Sequence, residues 1–473
     1  MKVLFVEPPK DFWFVMGEYI PPPFGVLALA GYLLREDPEI DVEVVDSQSE
    51  GLDWARLEDR IARAAPDIVA PSGLSTSNAF HAIRVCQLAK MINPLICTVV
   101  GGQHFTALAE ETLRGYPEVD FIVRGEGEVT YTELVKVLKT GKGLMSVAGI
   151  TYRKQTEIIH NPERALICDL DTLPSPAYHL VEKHMKGYYF ALMAEKETPF
   201  AIIEGSRGCN HKCTYCSQSP FWRQTQRVKS PKLILDEIEH LNRTYGSRFF
   251  WFTDDYFGLG YRTEEICRGI KERALNVQWF CQARCDDIVA HADVLPLLRD
   301  AGCVWMLVGF DNPSPQVLDS FRRYGVNRDN AKNAVDLLRQ NGIFSQGTFI
   351  IGHRSDSKES VEALRRYANW LDPDISTFMA LTPFPGTEVY SEAKQNGWIE
   401  DENWANYDMI HAVMPTEHLS RLQIQEELHR CYDDFFGSWP RRYRGIGSKN
   451  PFTRRTYLYL ARKAITTGLR NLF

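Results

Sequence analysis

The chain has 473 residues, of which 44% are hydrophobic and 24% are charged, and its formal net charge is −7. These values are typical of a globular protein with two or three domains, and no apolar run reaches the roughly 20 residues that a membrane-spanning helix needs. The N-terminus lacks the apolar segment and cleavage site of a signal peptide, so we predict a cytoplasmic protein without an integral membrane segment. An odd number of cysteines, eleven, favours reduced thiols over a disulfide framework.

Residues 1–165 alternate short apolar runs with helix-period patterns. Residues 2–7 predict a strand and residues 24–36 a helix, and the same alternation continues to about residue 140. Such alternation is typical of an open, Rossmann-like parallel sheet with helices on its faces.

Several of these strands end in small or polar residues. The carboxyl ends of parallel strands meet at one edge of an open α/β sheet, where ligands bind and where glycine lets them approach the backbone. We therefore predict a ligand-facing edge that contains Ser72, Gly73, Leu74, Ser75, Thr76, Gly101, Gly102, Gln103, His104, Gly125, Glu126, Gly127 and Glu128.

The rest of the chain divides into three parts. A proline-punctuated stretch, residues 166–195, is predicted to be a linker. Residues 196–395 alternate six strands with helices, which suits a partial (β/α)6 barrel better than an eight-fold one. Residues 396–473 are predicted to form a small, mostly helical C-terminal domain. Its last part, from Arg441, has nine Lys or Arg and no Asp or Glu, so it either contacts an acidic partner, a membrane surface or nucleic acid, or folds back on the acidic body.

Three cysteines, Cys209, Cys213 and Cys216, form a C-x3-C-x2-C loop after the first predicted barrel strand. Three thiolates at short spacing suit a [4Fe-4S] cluster, because they bind three irons and leave the fourth for another ligand. The alternative is a zinc site completed by His211, but that histidine lies only two residues from two of the cysteines, and no second ligand pair follows at ribbon spacing. The sequence favours the cluster.

The loop and the strand ends after it resemble the radical S-adenosylmethionine (SAM) superfamily. In that superfamily the free iron chelates SAM, and one electron then releases a 5′-deoxyadenosyl radical, which implies an electron donor such as ferredoxin or flavodoxin. The resemblance implies that SAM is bound by Tyr215, Asp254, Asp255, Gln282, Arg284, Asp311 and Gly352. One departure is Asp311, because the corresponding position in the family is often glutamate.

The first domain resembles the cobalamin-binding domain of cobalamin-dependent radical SAM enzymes, which implies that its ligand-facing edge binds cobalamin. A methylthiotransferase domain with a second cluster is disfavoured, since residues 1–165 contain only Cys86 and Cys97. No D-x-H-x-x-G histidine is present in this domain, so we predict base-off cobalamin without a protein histidine on cobalt.

Together, these resemblances imply a class B radical SAM C-methyltransferase that acts on an unactivated carbon of a protein or small molecule. The chain is similar in length to the enzyme that methylates a glutamine of methyl-coenzyme M reductase, and its C-terminal region is similarly compact. Two alternatives stay open. One is a cobalamin-dependent oxidative cyclase or ring-modifying enzyme. The other is a zinc-bearing, nucleic-acid-binding module, which leaves the six-strand pattern unexplained, so we expect no nucleic-acid partner.

Overall fold

The computed structural model describes residues 1–10, 19–73, 75–192 and 198–470, with side chains up to residue 463. Leu74, one of the predicted cobalamin residues, lies outside the described residues. Among the described helices, none combines the length and the apolar character needed to cross a bilayer.

The first domain is built on a seven-stranded sheet with the strand order β3-β1-β4-β5-β6-β7-β8. Its strands, together with the short β2, are β1 (Lys2–Glu7), β2 (Tyr19–Ile20), β3 (Asp41–Asp46), β4 (Ile68–Pro71), β5 (Cys97–Gly101), β6 (Phe121–Val123), β7 (Ile150–Lys154) and β8 (Glu157–His160). The sheet is parallel as far as β6, and β7 and β8 extend it antiparallel.

The helices between these strands follow the apolar periodicity of the sequence. They are α1 (Phe24–Glu36), α2 (Ser47–Glu50), α3 (Trp54–Ala64), α4 (Ala79–Ile92), α5 (Gln103–Ala107), α6 (Ala109–Gly115) and α7 (Gly127–Thr140). In α3, for example, Leu57, Ile61 and Ala64 are buried at helical spacing, whereas Asp53 caps its first turn by accepting from Arg56 N–H at 2.8 Å.

The predicted linker is packed rather than extended through solvent. Tyr178 is buried and its hydroxyl donates to Ile202 O at 2.8 Å. Further along, β9 (Tyr189–Phe190) pairs with β2, and the Phe190 ring lies 6.1 Å from the ring of Trp305 in the barrel. The linker therefore fastens the first domain to the barrel.

The second domain is a six-stranded parallel partial barrel with the order β10-β13-β14-β15-β16-β17, which confirms the predicted fold. Its strands, together with the β11–β12 hairpin that follows β10, are β10 (Phe200–Ile203), β11 (Ser206–Gly208), β12 (Gln226–Val228), β13 (Phe249–Phe252), β14 (Gln278–Ala283), β15 (Cys303–Asp311), β16 (Phe344–Ile351) and β17 (Ile375–Ala380). Its helices are α8 (Gln218–Phe221), α9 (Pro231–Tyr245), α10 (Tyr261–Glu272), α11 (Cys285–Ala290), α12 (Leu295–Asp300), α13 (Pro315–Ser320), α14 (Arg328–Gln340), α15 (Lys358–Leu371) and α16 (Glu388–Gln395).

The C-terminal region is helical, as predicted, and shares the core of the barrel. It contains α17 (Arg421–Phe436), α18 (Trp439–Ile446) and α19 (Pro451–Arg470). Phe435 of α17 packs edge-on against Phe378 of β17, with 6.2 Å between the ring centroids. Arg441 and Arg444 pair with Asp372 at 3.0 and 2.7 Å, so the start of the basic segment folds back on an acidic side chain of the barrel.

Candidate active site

The loop that carries Cys209, Cys213 and Cys216 lies at the carboxyl end of the barrel and is reached through the β11–β12 hairpin. Backbone hydrogen bonds anchor it: Thr214 N–H donates to Phe321 O at 3.2 Å, and Cys216 N–H donates to Cys213 O at 3.3 Å. All three cysteines are free, with Cys213 buried and the others half-buried. The loop thus presents three thiols at the mouth of the barrel.

The three thiols are close enough to influence one another's pKa. Burial, with the nearby Cys213 and Asp255, raises the pKa of Cys216 to about 12. Burial also raises the pKa of Cys209. Buried thiols ionise only when cations stabilise the thiolates, as bound metal does. This donor set fits an iron–sulfur cluster that is held at three irons.

Within the loop, Tyr215 is held by a buried ion pair. Its hydroxyl donates to Asp311 Oδ2 at 3.2 Å, and its ring meets Phe321 edge-on at 4.8 Å. Asp311 also pairs with Arg323, which donates to Gly309 O at 3.1 Å. Burial and the Asp311 charge raise the pKa of Tyr215 far above its usual value, so the phenol stays protonated. The aromatic ring is therefore fixed next to the cysteines.

Two further charged side chains lie near the loop. Burial, with the adjacent Asp254, raises the pKa of Asp255 to about 7. Arg284 is buried and forms a two-point pair with Asp286 at 3.0 and 2.8 Å, whereas its Nη1 has no hydrogen-bond partner among the described residues. A buried guanidinium N–H without a partner suits an anionic group of a ligand.

The ligand-facing edge of the first sheet reaches the cysteine loop through Gln103. Its Oε1 accepts from Ser217 Oγ at 3.2 Å, and its amide nitrogen donates to Gln218 Oε1. Gly102, the preceding residue, has a φ of +96°, which favours glycine. Ser217 and Gln218 directly follow Cys216, so the edge of the first sheet and the cysteine loop share one interface.

Family comparisons agree with this geometry. Residues 203–368 match the radical SAM superfamily, and residues 16–135 match the B12 binding domain. An uncharacterized methyltransferase of Pyrococcus horikoshii is 33% identical over 92% of this chain and 92% of its own length. The chain belongs to the cobalamin-dependent radical SAM methyltransferase family. This family uses a [4Fe-4S] cluster, SAM and cobalamin, which confirms the predicted cofactors and the need for a reductant and a substrate.

Another relative and two solved structures are similar over nearly the whole chain. The anaerobic magnesium-protoporphyrin IX monomethyl ester cyclase of Rubrivivax gelatinosus is 30% identical over 92% of this chain and 77% of its own length. Among solved structures, the methyltransferase TsrM of Kitasatospora setae with cobalamin and a [4Fe-4S] cluster has a TM-score of 0.73 at 17% identity, with 99% of each chain covered. OxsB with aqua-cobalamin and SAM also gives 0.73, at 18% identity over 98% of this chain and 71% of that one. These likenesses confirm the fold.

Family membership supports the [4Fe-4S] cluster rather than the zinc site of the alternative. The His211 ring, proposed in that alternative as the fourth ligand, packs edge-on against Tyr256 at 5.4 Å between centroids. Burial lowers its pKa to about 4, and the nearby Arg284 and Arg323 contribute to that shift.

The predicted SAM residues differ in the hydrogen bonds that they already form in the structure. Asp254 is fully buried, and its carboxylate accepts from Gly205 N–H at 2.9 Å and from Ser206 Oγ at 2.5 Å. It therefore fixes the connection from β10 to the hairpin, and its contact with SAM stays a prediction. Gly352, another predicted SAM residue, has a φ of +90°, a backbone conformation that favours glycine.

The two remaining predicted SAM residues, Gly352 and Gln282, form hydrogen bonds through their backbone atoms. Gly352 N–H donates to Asp356 Oδ2 at 2.8 Å, so this glycine serves a strand-end turn. Gln282 lies half-buried on β14, and its carbonyl accepts from Phe257 N–H at 3.1 Å. The SAM roles of Gly352 and Gln282 stay predictions.

Two predicted cobalamin carboxylates form ion pairs across the interface between the domains. Glu126 and Glu128 both pair with Arg207 of the barrel domain, at 2.8 and 2.6 Å, and so join the two domains. Both carboxylates are buried, and their contact with cobalamin stays a prediction.

At three of the predicted cobalamin glycines, packing or backbone conformation also requires a glycine. A Cβ at Gly73 would lie 2.5 Å from the Phe105 ring, and one at Gly127 would lie 2.7 Å from Leu29 Cδ2, so both serve packing within the first domain. Gly125 has a φ of +72°.

The rest of the predicted cobalamin set lies at strand ends, as expected. Asn78 Nδ2 donates to Ser75 Oγ at 2.8 Å, and Ser72 N–H donates to Val6 O at 2.8 Å. Thr76 is buried, and Gly101 ends β5. Contact of these residues with cobalamin stays a prediction.

His104 is buried, and a residue of the C-terminal region lies against it. Its ring lies 4.3 Å from the Trp404 ring and 5.1 Å from the Phe105 ring, both edge-on. Neither ring nitrogen has a hydrogen-bond partner among the described residues, and burial lowers the pKa to about 3. The imidazole is neutral and enclosed by aromatic rings.

Several residues at the site were not found from the sequence. They are Arg207, Ser217, Gln218, Phe321 and Arg323. Arg207 had a local signal, since it lies two residues before Cys209, but its partners are about 80 residues away along the chain. Arg323 had no such signal, because the loop after α13 gives no motif of its own.

Proposed function

We propose that this enzyme is a C-methyltransferase that methylates an unactivated carbon. When bound, the cluster and SAM supply a 5′-deoxyadenosyl radical, and cobalamin carries a methyl group that comes from a second SAM. The supporting observation is the contact between Gln103, at the cobalamin edge, and Ser217 and Gln218, directly after Cys216. A reaction that uses both cofactors on one carbon requires the two sites to face each other.

In this proposal, each group of residues has a separate task. Cys209, Cys213 and Cys216 hold the cluster. The Tyr215 ring and the free Arg284 Nη1 bind SAM, and the Arg284 guanidinium matches its carboxylate. The strand ends at Ser75, Thr76, Gly101, Gly102 and Gln103 hold cobalamin, since hydroxyls and exposed backbone N–H groups suit its polar periphery.

The narrower substrate that we propose is a glutamine carbon of methyl-coenzyme M reductase. Its support is the chain length and the compact helical C-terminal region. The competing candidate is an oxidative cyclase, which is favoured by the 30% identity to the magnesium-protoporphyrin IX monomethyl ester cyclase of Rubrivivax gelatinosus.

Product stoichiometry distinguishes methyl transfer from cyclisation. With reductant and substrate, a methyltransferase should release S-adenosylhomocysteine and 5′-deoxyadenosine in about equal amounts per methylated product, since each SAM has one task. Quantitative mass spectrometry of the two nucleosides, with a search for one added CH₂ in candidate peptides, measures this. Deoxyadenosine without matching S-adenosylhomocysteine would favour the cyclase, and product in a peptide other than the glutamine peptide would remove the narrower substrate.

We also expect cobalamin to bind base-off without a histidine on cobalt, because the His104 ring is enclosed by Trp404 and Phe105. A weak lower ligand makes cobalt easier to reduce. Electron paramagnetic resonance of the Co(II) form should therefore lack the nitrogen triplet of an axial ligand, both in the wild type and in His104→Ala. A triplet that disappears in His104→Ala would instead identify His104 as the ligand.

A further inference from the structure

The two domains are joined by a buried guanidinium directly before the cysteine loop. Arg207 is the middle residue of β11, and its three nitrogens each meet a different carboxylate: Nε meets Glu204 at 2.8 Å, Nη1 meets Glu126 at 2.8 Å, and Nη2 meets Glu128 at 2.6 Å. Glu204 belongs to the barrel and the other two to the cobalamin domain. We call these four residues the Arg207 clamp.

A second cation, the guanidinium of Arg227, holds the Glu126 carboxylate of the clamp. Arg227, on β12, donates from Nη1 to both Glu126 oxygens, at 2.9 and 2.8 Å, and to Ile167 O at 2.7 Å. Ile167 N–H in turn donates to Glu126 Oε2 at 2.7 Å. The hairpin that leads into the cysteine loop is therefore tied to the cobalamin domain on both of its strands.

The connection from the clamp to the first cysteine has little freedom. Gly208, the single residue between Arg207 and Cys209, has a φ of +80°. A Cβ at this position would lie 2.2 Å from Thr225 O and 2.7 Å from Trp222 Cβ, so the backbone is tightly packed there. A shift of Arg207 is consequently passed on to Cys209.

Buried ion pairs contribute more to orientation than to net stability, since desolvation offsets most of their attraction. A fork of five N–H donors is suited to fixing three carboxylates in one arrangement, which a lysine ammonium cannot reproduce. The clamp has the properties of a device that sets the geometry between two domains.

We propose that Arg207 is a positioning residue that holds the cysteine loop at a fixed distance from the cobalamin domain. The inference rests on the proposed function, because its consequence is that the substrate radical forms within reach of the methyl group. Loss of the clamp should then uncouple the two uses of SAM: deoxyadenosine is still made, but methylated product is not.

The test uses Arg207→Lys and Glu128→Gln in the full chain, with Arg273→Lys as a matched control. Arg273 also bridges two carboxylates, Asp236 and Glu239 at 2.7 and 2.9 Å, but within the barrel helices. Glu128→Gln is the milder clamp variant, since it keeps the shape of the side chain and leaves Glu126 and Glu204 to neutralise Arg207.

Two readouts are expected to change together in the clamp variants. Methylated product per deoxyadenosine should fall by about ten- to a hundred-fold, as expected for a misplacement of about 1 Å, whereas iron and cobalamin contents stay at wild-type level. Hydrogen exchange of residues 206–216, measured without SAM or substrate, should accelerate. Arg273→Lys should change neither quantity.

An unchanged product-to-deoxyadenosine ratio in Glu128→Gln, or unchanged exchange of residues 206–216 in both clamp variants, would overturn the proposal. The exchange measurement needs no turnover. If the wild-type enzyme makes no methylated product, the proposed function fails, and the exchange data still decide whether the clamp holds the cysteine loop.

Discussion

Replacing Cys209, Cys213 and Cys216 together by alanine is expected to abolish iron binding and all cleavage of SAM. The wild-type chain, purified without oxygen, should hold about four irons, because three thiolates at this spacing hold one cubane cluster. Without the thiolates, neither the cluster nor the electron that it passes to SAM is available. Iron analysis and deoxyadenosine release measure the effect, and both should fall below detection.

A control with the same spacing exists in the barrel. Cys281 and Cys285 form a second C-x3-C, but both are fully buried, and burial raises the pKa of the Cys285 thiol to about 11. Cys281→Ala/Cys285→Ala should therefore keep its full iron content and lose only packing stability. Stoichiometric zinc with no iron in the reconstituted wild type, or full iron in the triple variant, would contradict the assignment.

The order of elements could be predicted because it depends on local apolar periodicity. Residues 24–36 form a helix with the predicted bounds, since the buried positions recur at helical spacing. The β7–β8 extension was missed, because its pairing with β6 is antiparallel and follows no repeating strand–helix pattern. The sequence predicts a linker but not its packing: the hydroxyl of Tyr178 donates to Ile202 O in the barrel and that of Tyr188 to Asp46 Oδ2 in the first domain.

The sequence predicts the functional residues that lie together in one loop. It does not predict the side-chain contacts that form between residues of different domains. The three cysteines lie within eight residues, so their spacing carried the information. Glu126 lies at the predicted edge of the first sheet, but its partner Arg207 is brought there by domain docking, which no local pattern records. His104 likewise meets Trp404 only because the C-terminal region folds back over the first domain.

Gly208→Ala is expected to destabilise the cysteine loop through both backbone strain and a steric clash. A φ of +80° costs an alanine about 1–2 kcal/mol. The new Cβ would also lie 2.2 Å from Thr225 O, a backbone atom that cannot move without breaking the β11–β12 hairpin. Overpacking of this kind adds about 1–3 kcal/mol.

Gly246→Ala separates these two costs. Gly246 ends α9 with a φ of +71°, but nothing lies within 4 Å of a Cβ there, so only the backbone strain applies. The control should therefore lose about 1–2 kcal/mol in the free energy of unfolding and keep its iron. Gly208→Ala should lose about 2–5 kcal/mol and most of its iron, because the clash falls between Arg207 and Cys209. Denaturant unfolding and iron analysis measure both variants. Equal losses in the two would show that the hairpin relaxes around the methyl group, and that the path from the clamp to the cluster is not rigid.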